Sequence, residues 1–226
     1  MRKLIYLLLS FVLCLGGTVN VFAAEKTVSS FADVDPNAYY NESVSYINKT
    51  GLMTGRDETH FAPEDYLQRQ ELAVIIGRHY TDTLNSDLNL NLSGENYYVD
   101  SINWVKKHKI MNGYADGNFG VGDYITREDF IVTLARYSES VVGYMFIPDD
   151  YGLLYKYKDY DNISDYAKFP MWWMCKTGII KGYEINDVEV IDPQAPVTRG
   201  MAAVMLERYL QRYQQDFIND GIVFEE

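Results

Sequence analysis

The sequence predicts a mainly α-helical protein made of three helix-loop-helix repeats. Three observations predict it. Tyr39, Tyr97 and Tyr166 each stand 16 residues before a glycine, namely Gly55, Gly113 and Gly182. Arg69 and Arg127 each follow their glycine by 14 residues, and Arg199 follows its own by 17, so the third copy has three extra residues around 184–190. Arg78, Arg136 and Arg208 each stand nine residues beyond that arginine. Offsets held across three copies mark an internal repeat, the signature of stacked supersecondary units.

The chain opens with a targeting segment. Arg2 and Lys3 precede the apolar run Leu4 to Leu15, and small residues lead to Val21-Phe22-Ala23. This is the charged, apolar and small-residue order of a secretory signal, and cleavage is expected after Ala23. The apolar run is shorter than the roughly 20 residues of a membrane span. Residues 1–23 are therefore expected to be a signal peptide, with no membrane span left after cleavage; an uncleaved N-terminal anchor is the alternative. The remaining chain has 18 basic and 32 acidic side chains, a net charge of −14. Cys14 leaves with the signal. Cys175 sits in the apolar stretch Met171-Trp172-Trp173-Met174 and is expected to be a buried, inert thiol.

Repeat one covers 31–80, repeat two 89–140 and repeat three 157–210; residues 211–226 form an acidic tail. In the first helix of repeat one, Tyr40, Val44, Ile47 and Leu52 recur at near-helical spacing, and Tyr98, Ile102, Val105 and Ile110 match them in repeat two. Trp104 and Trp173, equivalent to Tyr46, are expected in the core. Gly51 and Gly178 stop that helix. A turn follows, clearest at Asp116-Gly117-Asn118. The second helix starts near Thr126 and buries Phe130, Leu134 and Tyr137; Leu72, Ile76 and His79 are the counterparts in repeat one, and Ala202, Leu206 and Tyr209 in repeat three. Connectors fall at 81–88 and 138–155, the second apolar enough to pack on the domain. A single unit has too little apolar area to fold alone, whereas three can share a core.

Composition narrows the function. Hydrophobic residues are 47% and charged residues 23%, the balance of a folded globular chain. A net charge of −12 argues against nucleic-acid binding, which needs a basic face. Two Cys and three His make neither a disulfide framework nor a metal cage. The chain has no Ser-His-Asp order, H-E-x-x-H, P-loop or G-x-S-x-G, and residues 116–118 lack the acidic ladder of a calcium loop. The expectation is a non-catalytic protein without cofactor or metal.

The chemistry concentrates where the second helix begins. Thr126 is a good N-cap with Asp129 three residues on; repeat one keeps the acid (Glu71) behind the poorer cap Gln68, and repeat three keeps Thr198 but has Met201 in place of the acid. Arg69, Arg127 and Arg199 occupy the first turn. A cation there opposes the helix dipole, so local stability alone would favour an acid and the fold is expected to survive its loss. A helix start with a guanidinium is also a ready anion site. Pairing with an acid of a neighbouring repeat is the alternative, and spacing leaves both open. Tyr39, Tyr97 and Tyr166 divide in the same way, between core or rim packing and a platform for a sugar face.

Phe31-Ala32-Asp33-Val34, Gly113-Tyr114-Ala115-Asp116-Gly117-Asn118-Phe119 and Ile125-Thr126-Arg127-Glu128-Asp129 resemble the S-layer homology domain, over three tandem repeats and nearly all of the chain beyond the signal. The resemblance implies a pseudo-threefold bundle whose inter-repeat grooves bind secondary cell-wall polysaccharide, commonly through a pyruvylated terminal amino sugar. It places the ligand-binding arginine on Arg69, Arg127 and Arg199, and the aromatic, usually Trp in the family, on Tyr39, Tyr97 and Tyr166. It places the early acid on Asp33 and Asp159, with Asn91 in repeat two, and the turn glycine on Gly117, with Thr59 in repeat one. It implies an exported cell-wall or cell-surface module of a bacterium, with cell-wall polysaccharide and another surface protein as partners. The alternative is a structural or protein-interaction scaffold on the surface that has lost sugar binding.

Overall fold

In the computed structural model, residues 31–83, 89–142 and 152–220 are described. The signal segment and the end of the acidic tail lie outside them. Six α-helices follow in order: α1 (Asn41–Lys49), α2 (Arg69–Thr83), α3 (Val99–Lys107), α4 (Arg127–Tyr137), α5 (Asp165–Lys176) and α6 (Arg199–Asp220). A two-stranded hairpin, β1 (Tyr183–Ile185) and β2 (Val188–Val190), precedes α6. It occupies the segment where the third copy has its extra residues, and it turns through Asn186 and Asp187, both at positive φ. The protein is mainly α. The expected connector at 81–88 starts late, because α2 continues to Thr83.

Short loops would favour packing the two helices of one unit on each other. The structure does otherwise. α2 packs on α3, α4 on α5 and α6 on α1, so each helix pair joins two consecutive units and the last closes on the first. Ser43 of α1 donates to Glu207 of α6 across that closing pair. One apolar cluster runs through all of it, with Val44, Ile47, Leu72, Val105, Phe130, Leu134, Met171 and Ala202 fully buried. Trp104 and Trp173 belong to this core.

The starts of α2, α4 and α6 are tied into a cyclic triangle. Leu67 N donates to Val197 O at 2.8 Å, Val197 N to Ile125 O at 2.9 Å, and Ile125 N to Leu67 O at 3.0 Å. Each segment thereby satisfies the backbone of the next, and the three second helices start from one point. Near their other ends His79, Tyr137 and Tyr209 meet. His79 Nδ1 lies 2.6 Å from the Tyr137 hydroxyl, and the Tyr209 hydroxyl 2.7 Å from Ser138 Oγ. Burial lowers the pKa of His79 to about 4, which keeps the ring neutral.

Local chemistry sets the helix ends. Gly51 and Gly178 take positive φ just past α1 and α5, and Lys109 takes the same conformation past α3. At the second helices the second and third units use the threonine half of the capping box and the first uses the acid half. Thr126 Oγ1 accepts from Asp129 N at 3.2 Å, and Thr198 Oγ1 from Met201 N at 3.2 Å. In the first unit Glu71 reaches back to Gln68 N at 2.9 Å instead.

Candidate ligand-binding grooves

Three grooves open between the units, and each is assembled from all three. Groove I follows the loop at Gly55 and is lined by Glu71 and Arg78 of α2, Tyr97 ahead of α3, and Arg199 of α6. Groove II follows the loop at Gly113, with Asp129 and Arg136 of α4, Tyr166 of α5 and Arg69 of α2. Groove III follows the loop at Gly182, with Met201 and Arg208 of α6, Tyr39 ahead of α1 and Arg127 of α4. Their volumes are about 190, 270 and 450 Å³ respectively. In the folded chain Arg69 meets Tyr166, Arg127 meets Tyr39 and Arg199 meets Tyr97, each pair from two different repeats.

The arginines are buried at 4–6% exposure and make the same bonds three times. The Nε of Arg199, Arg69 and Arg127 donates to the carbonyls of Phe61, Phe119 and Ile191, at 2.9, 3.0 and 2.9 Å. Nη2 reaches the carbonyl just before the loop glycine: Thr54 at 2.7 Å, Asn112 at 2.9 Å and Lys181 at 3.4 Å. An aromatic ring lies under each guanidinium, Phe61 at 4.7 Å, Tyr114 at 5.0 Å and Tyr183 at 5.4 Å. The helix-dipole argument therefore gives the wrong sign for these residues. The charge leaves its own helix and caps backbone carbonyls of the next loop, a tertiary gain larger than the few tenths of a kcal/mol lost to the dipole.

The grooves differ in what faces the arginine. In groove II, Arg69 Nη1 lies 3.3 Å from Asp129 Oδ2, and the Tyr166 hydroxyl stands 2.9 Å from Asp129 Oδ1 and from Glu128 Oε1. Burial, with those carboxylates, pushes the Tyr166 phenol well above its ordinary pKa. In groove I, Glu71 pairs with Arg56 and stands 3.9 Å from Arg199 Nη1. Burial, with Arg56 beside it, brings Arg199 down to about 10. In groove III, no carboxylate bonds Arg127 among the described residues, and no acceptor takes its Nη1. Burial lowers its pKa.

Asp33, Asp159 and Gly117 do not line the grooves, contrary to their placement by the resemblance. Asp33 accepts Phe61 N at 2.9 Å and Ala62 N at 2.7 Å, and Asp159 accepts Ile191 N at 2.9 Å and Asp192 N at 2.6 Å. They fix the residues whose carbonyls receive Arg199 and Arg127, so they position the arginines from behind. Asn91 makes no such bond; its backbone N donates to Asp100, and Gly120 N turns to the local Asn118 side chain. Gly117, at φ 87°, forms the exposed turn closed on Tyr114 O. The loop glycines matter more. A Cβ on Gly113 would stand 2.6 Å from Asn118 O, and Gly55 and Gly182 are crowded in the same way.

The S-layer homology domain profile matches residues 30–73 and 93–131. Those two segments are tandem S-layer homology repeats. The two matches cover the loops and helix starts that build grooves I and II, up to the first turns of α2 and α4. Groove III is centred on the loop at Gly182 and on α6, which lie beyond both matches and repeat the same geometry. An endoglucanase of Bacillus sp. (strain KSM-635) is 21% identical over 201 residues, which cover 85% of this chain. The chain spans about a fifth of that enzyme's length. S-layer homology domains generally anchor proteins to cell-wall polysaccharide, at the bacterial cell surface or wall. Among the described residues no helix is long and apolar enough to cross a membrane.

Sequence reasoning gave no role to Arg78, Arg136 and Arg208, although their fixed spacing was the available signal. It also missed Tyr114, Tyr183 and Glu128. Glu128 is buried and accepts Ser164 N at 3.0 Å, capping α5 from the neighbouring unit. Cys175 is half-buried rather than fully buried, and desolvation pushes its thiol up to about 11, unsuited to nucleophilic work.

Proposed function

We propose that this protein is an exported, non-catalytic wall-binding module that holds an anionic, pyruvylated secondary cell-wall polysaccharide in the grooves between its units. One observation carries the reading. Three times over, the fold brings a buried arginine, a second arginine and a tyrosine from separate units to one groove. Arginine forks suit carboxylates, and a tyrosine at the rim offers a face to a sugar ring. Asp33 and Asp159 support the site from behind its wall. The test is co-sedimentation of residues 24–226 with purified bacterial cell walls. Walls that keep their polysaccharide should retain the protein, and walls stripped of it, or treated to hydrolyse the ketal, should not.

A second reading has its own support. The arginines spend most of their donors on loop carbonyls, which a scaffold for another surface protein would equally require. Retention by stripped walls, or by neither preparation, favours that scaffold.

A further inference from the structure

We infer that a cavity between α4 and α5 is a binding site for a small zwitterion with an apolar side chain, a free amino acid of leucine size. The cavity adjoins groove II through Arg136 and Tyr166 but lies farther along α4, and its ligand is of a different class.

The three interfaces between units use equivalent positions, and two of them are filled there. Eight residues past each buried arginine stand Gly77, Ala135 and Glu207; they face Ser101, Pro170 and Ser43, each four residues past a groove tyrosine. Between α6 and α1, Glu207 accepts the Ser43 hydroxyl. Between α2 and α3 there is no room, since a Cβ on Gly77 would stand 2.9 Å from Ser101 Oγ. Between α4 and α5 the pair is Ala135 and Pro170. Neither carries a group that bonds across, and a space of about 190 Å³ remains. Irregular backbone borders it on both sides. Pro170 gives no N–H to the carbonyl four residues back in α5, and α4 runs into a π turn, Ser138–Val142, of the kind that recurs at functional sites.

The lining sets the ligand. Phe169, Pro170 and Trp173 of α5, with Val132 and Ala135 of α4, make an apolar wall. Sugar hydroxyls buried against it would lack partners. An apolar cavity of about 150 Å³ takes a benzene-sized guest, so a branched side chain fits this one. At the mouth stand Arg136, half-buried, and Glu139, exposed. Residues three apart on a helix are neighbours. Yet neither makes an ion pair, with the other or with any other of the described residues. At the other two interfaces the counterpart of Glu139 is uncharged and bonded within its own helix. Thr81 donates to Gly77 O at 3.2 Å and to Arg78 O at 3.0 Å, and Gln211 donates to Glu207 at 3.0 Å. A guanidinium fork for a carboxylate and a carboxylate for an ammonium therefore border one apolar space, which is the charge pattern of an amino acid around its side chain.

Calorimetric titration of residues 24–226 tests this with four probes. L-leucine carries both charges and the apolar side chain. Isocaproate lacks the ammonium, isoamylamine lacks the carboxylate, and glycine lacks the side chain. L-leucine should bind at one site, with the others at least tenfold weaker, because each forfeits a charge-assisted hydrogen bond or the buried side chain. Ala135→Leu fills the cavity and should abolish binding. Glu139→Gln should weaken L-leucine binding at least tenfold at unchanged melting temperature and unchanged wall retention, and it decides alone if Ala135→Leu fails to fold. No binding of L-leucine, equal binding of isocaproate or isoamylamine, binding that survives in a folded Ala135→Leu, or unchanged affinity in Glu139→Gln overturns the inference. Loss of wall retention in Glu139→Gln makes the cavity part of groove II and overturns it as a separate site.

Discussion

Arg127→Ala separates the two roles that Arg127 combines. The residue is 4% exposed, donates to Ile191 O at 2.9 Å and to Lys181 O at 3.4 Å, and lies over the Tyr183 ring. A hydrogen bond to a charged group contributes about 1.5–3 kcal/mol, and the longer bond belongs at or below the lower end. Water entering the open groove can satisfy part of what is lost, because Lys181, whose carbonyl receives the longer bond, lines it. The expected destabilisation is about 2–4 kcal/mol. At about 2–4 °C per kcal/mol for a domain of this size, the melting temperature should fall by roughly 5–15 °C. The helix-dipole argument from sequence gives the opposite sign, a gain of a few tenths of a kcal/mol. Arg127→Lys should recover part of the loss, since an ammonium can reach one carbonyl but not both. Thermal melts by circular dichroism, with wall retention on the same samples, give both readouts. Unchanged or raised stability in Arg127→Ala would refute the clamp. A lowered melting temperature with unchanged wall retention at a temperature where the variant is folded would make Arg127 purely structural.

Other consequences follow from the same geometry. His79 is neutral in the fold, with a pKa near 4 against 6.5 when unfolded, so its protonation favours unfolding. Stability should be full above about pH 6.5 and fall by roughly 3 kcal/mol as pH drops to about 4; His79→Tyr, the residue at the equivalent positions 137 and 209, should flatten that part of a pH–melting curve. Asp33→Ala should cost about 1–3 kcal/mol by leaving Phe61 N and Ala62 N without their acceptor, and Asn91→Ala under about 0.5 kcal/mol; equal effects in urea unfolding would contradict the positioning role. Residues 89–140 expressed alone should lack a cooperative melt, because α3 and α4 pack on α2 and α5.

The repeat, the helix-loop-helix unit and the helix ends were legible in the sequence because they are local. Periodicity placed Val44, Ile47, Phe130 and Leu134 in the core, and Thr126, Gly51 and Gly178 at helix boundaries, since caps and apolar faces depend on neighbours a few residues away. The loop glycines were visible as fixed points of the spacing, and crowding by backbone atoms explains why no other residue fits there. What only the tertiary structure decided is which unit each side chain serves. The arginine of one unit, the tyrosine of another and the loop of the third meet in one groove, because the helices pair across units and the chain closes on itself. Asp33 and Asp159 likewise act from behind the loop, through backbone N–H groups some 30 residues away in sequence.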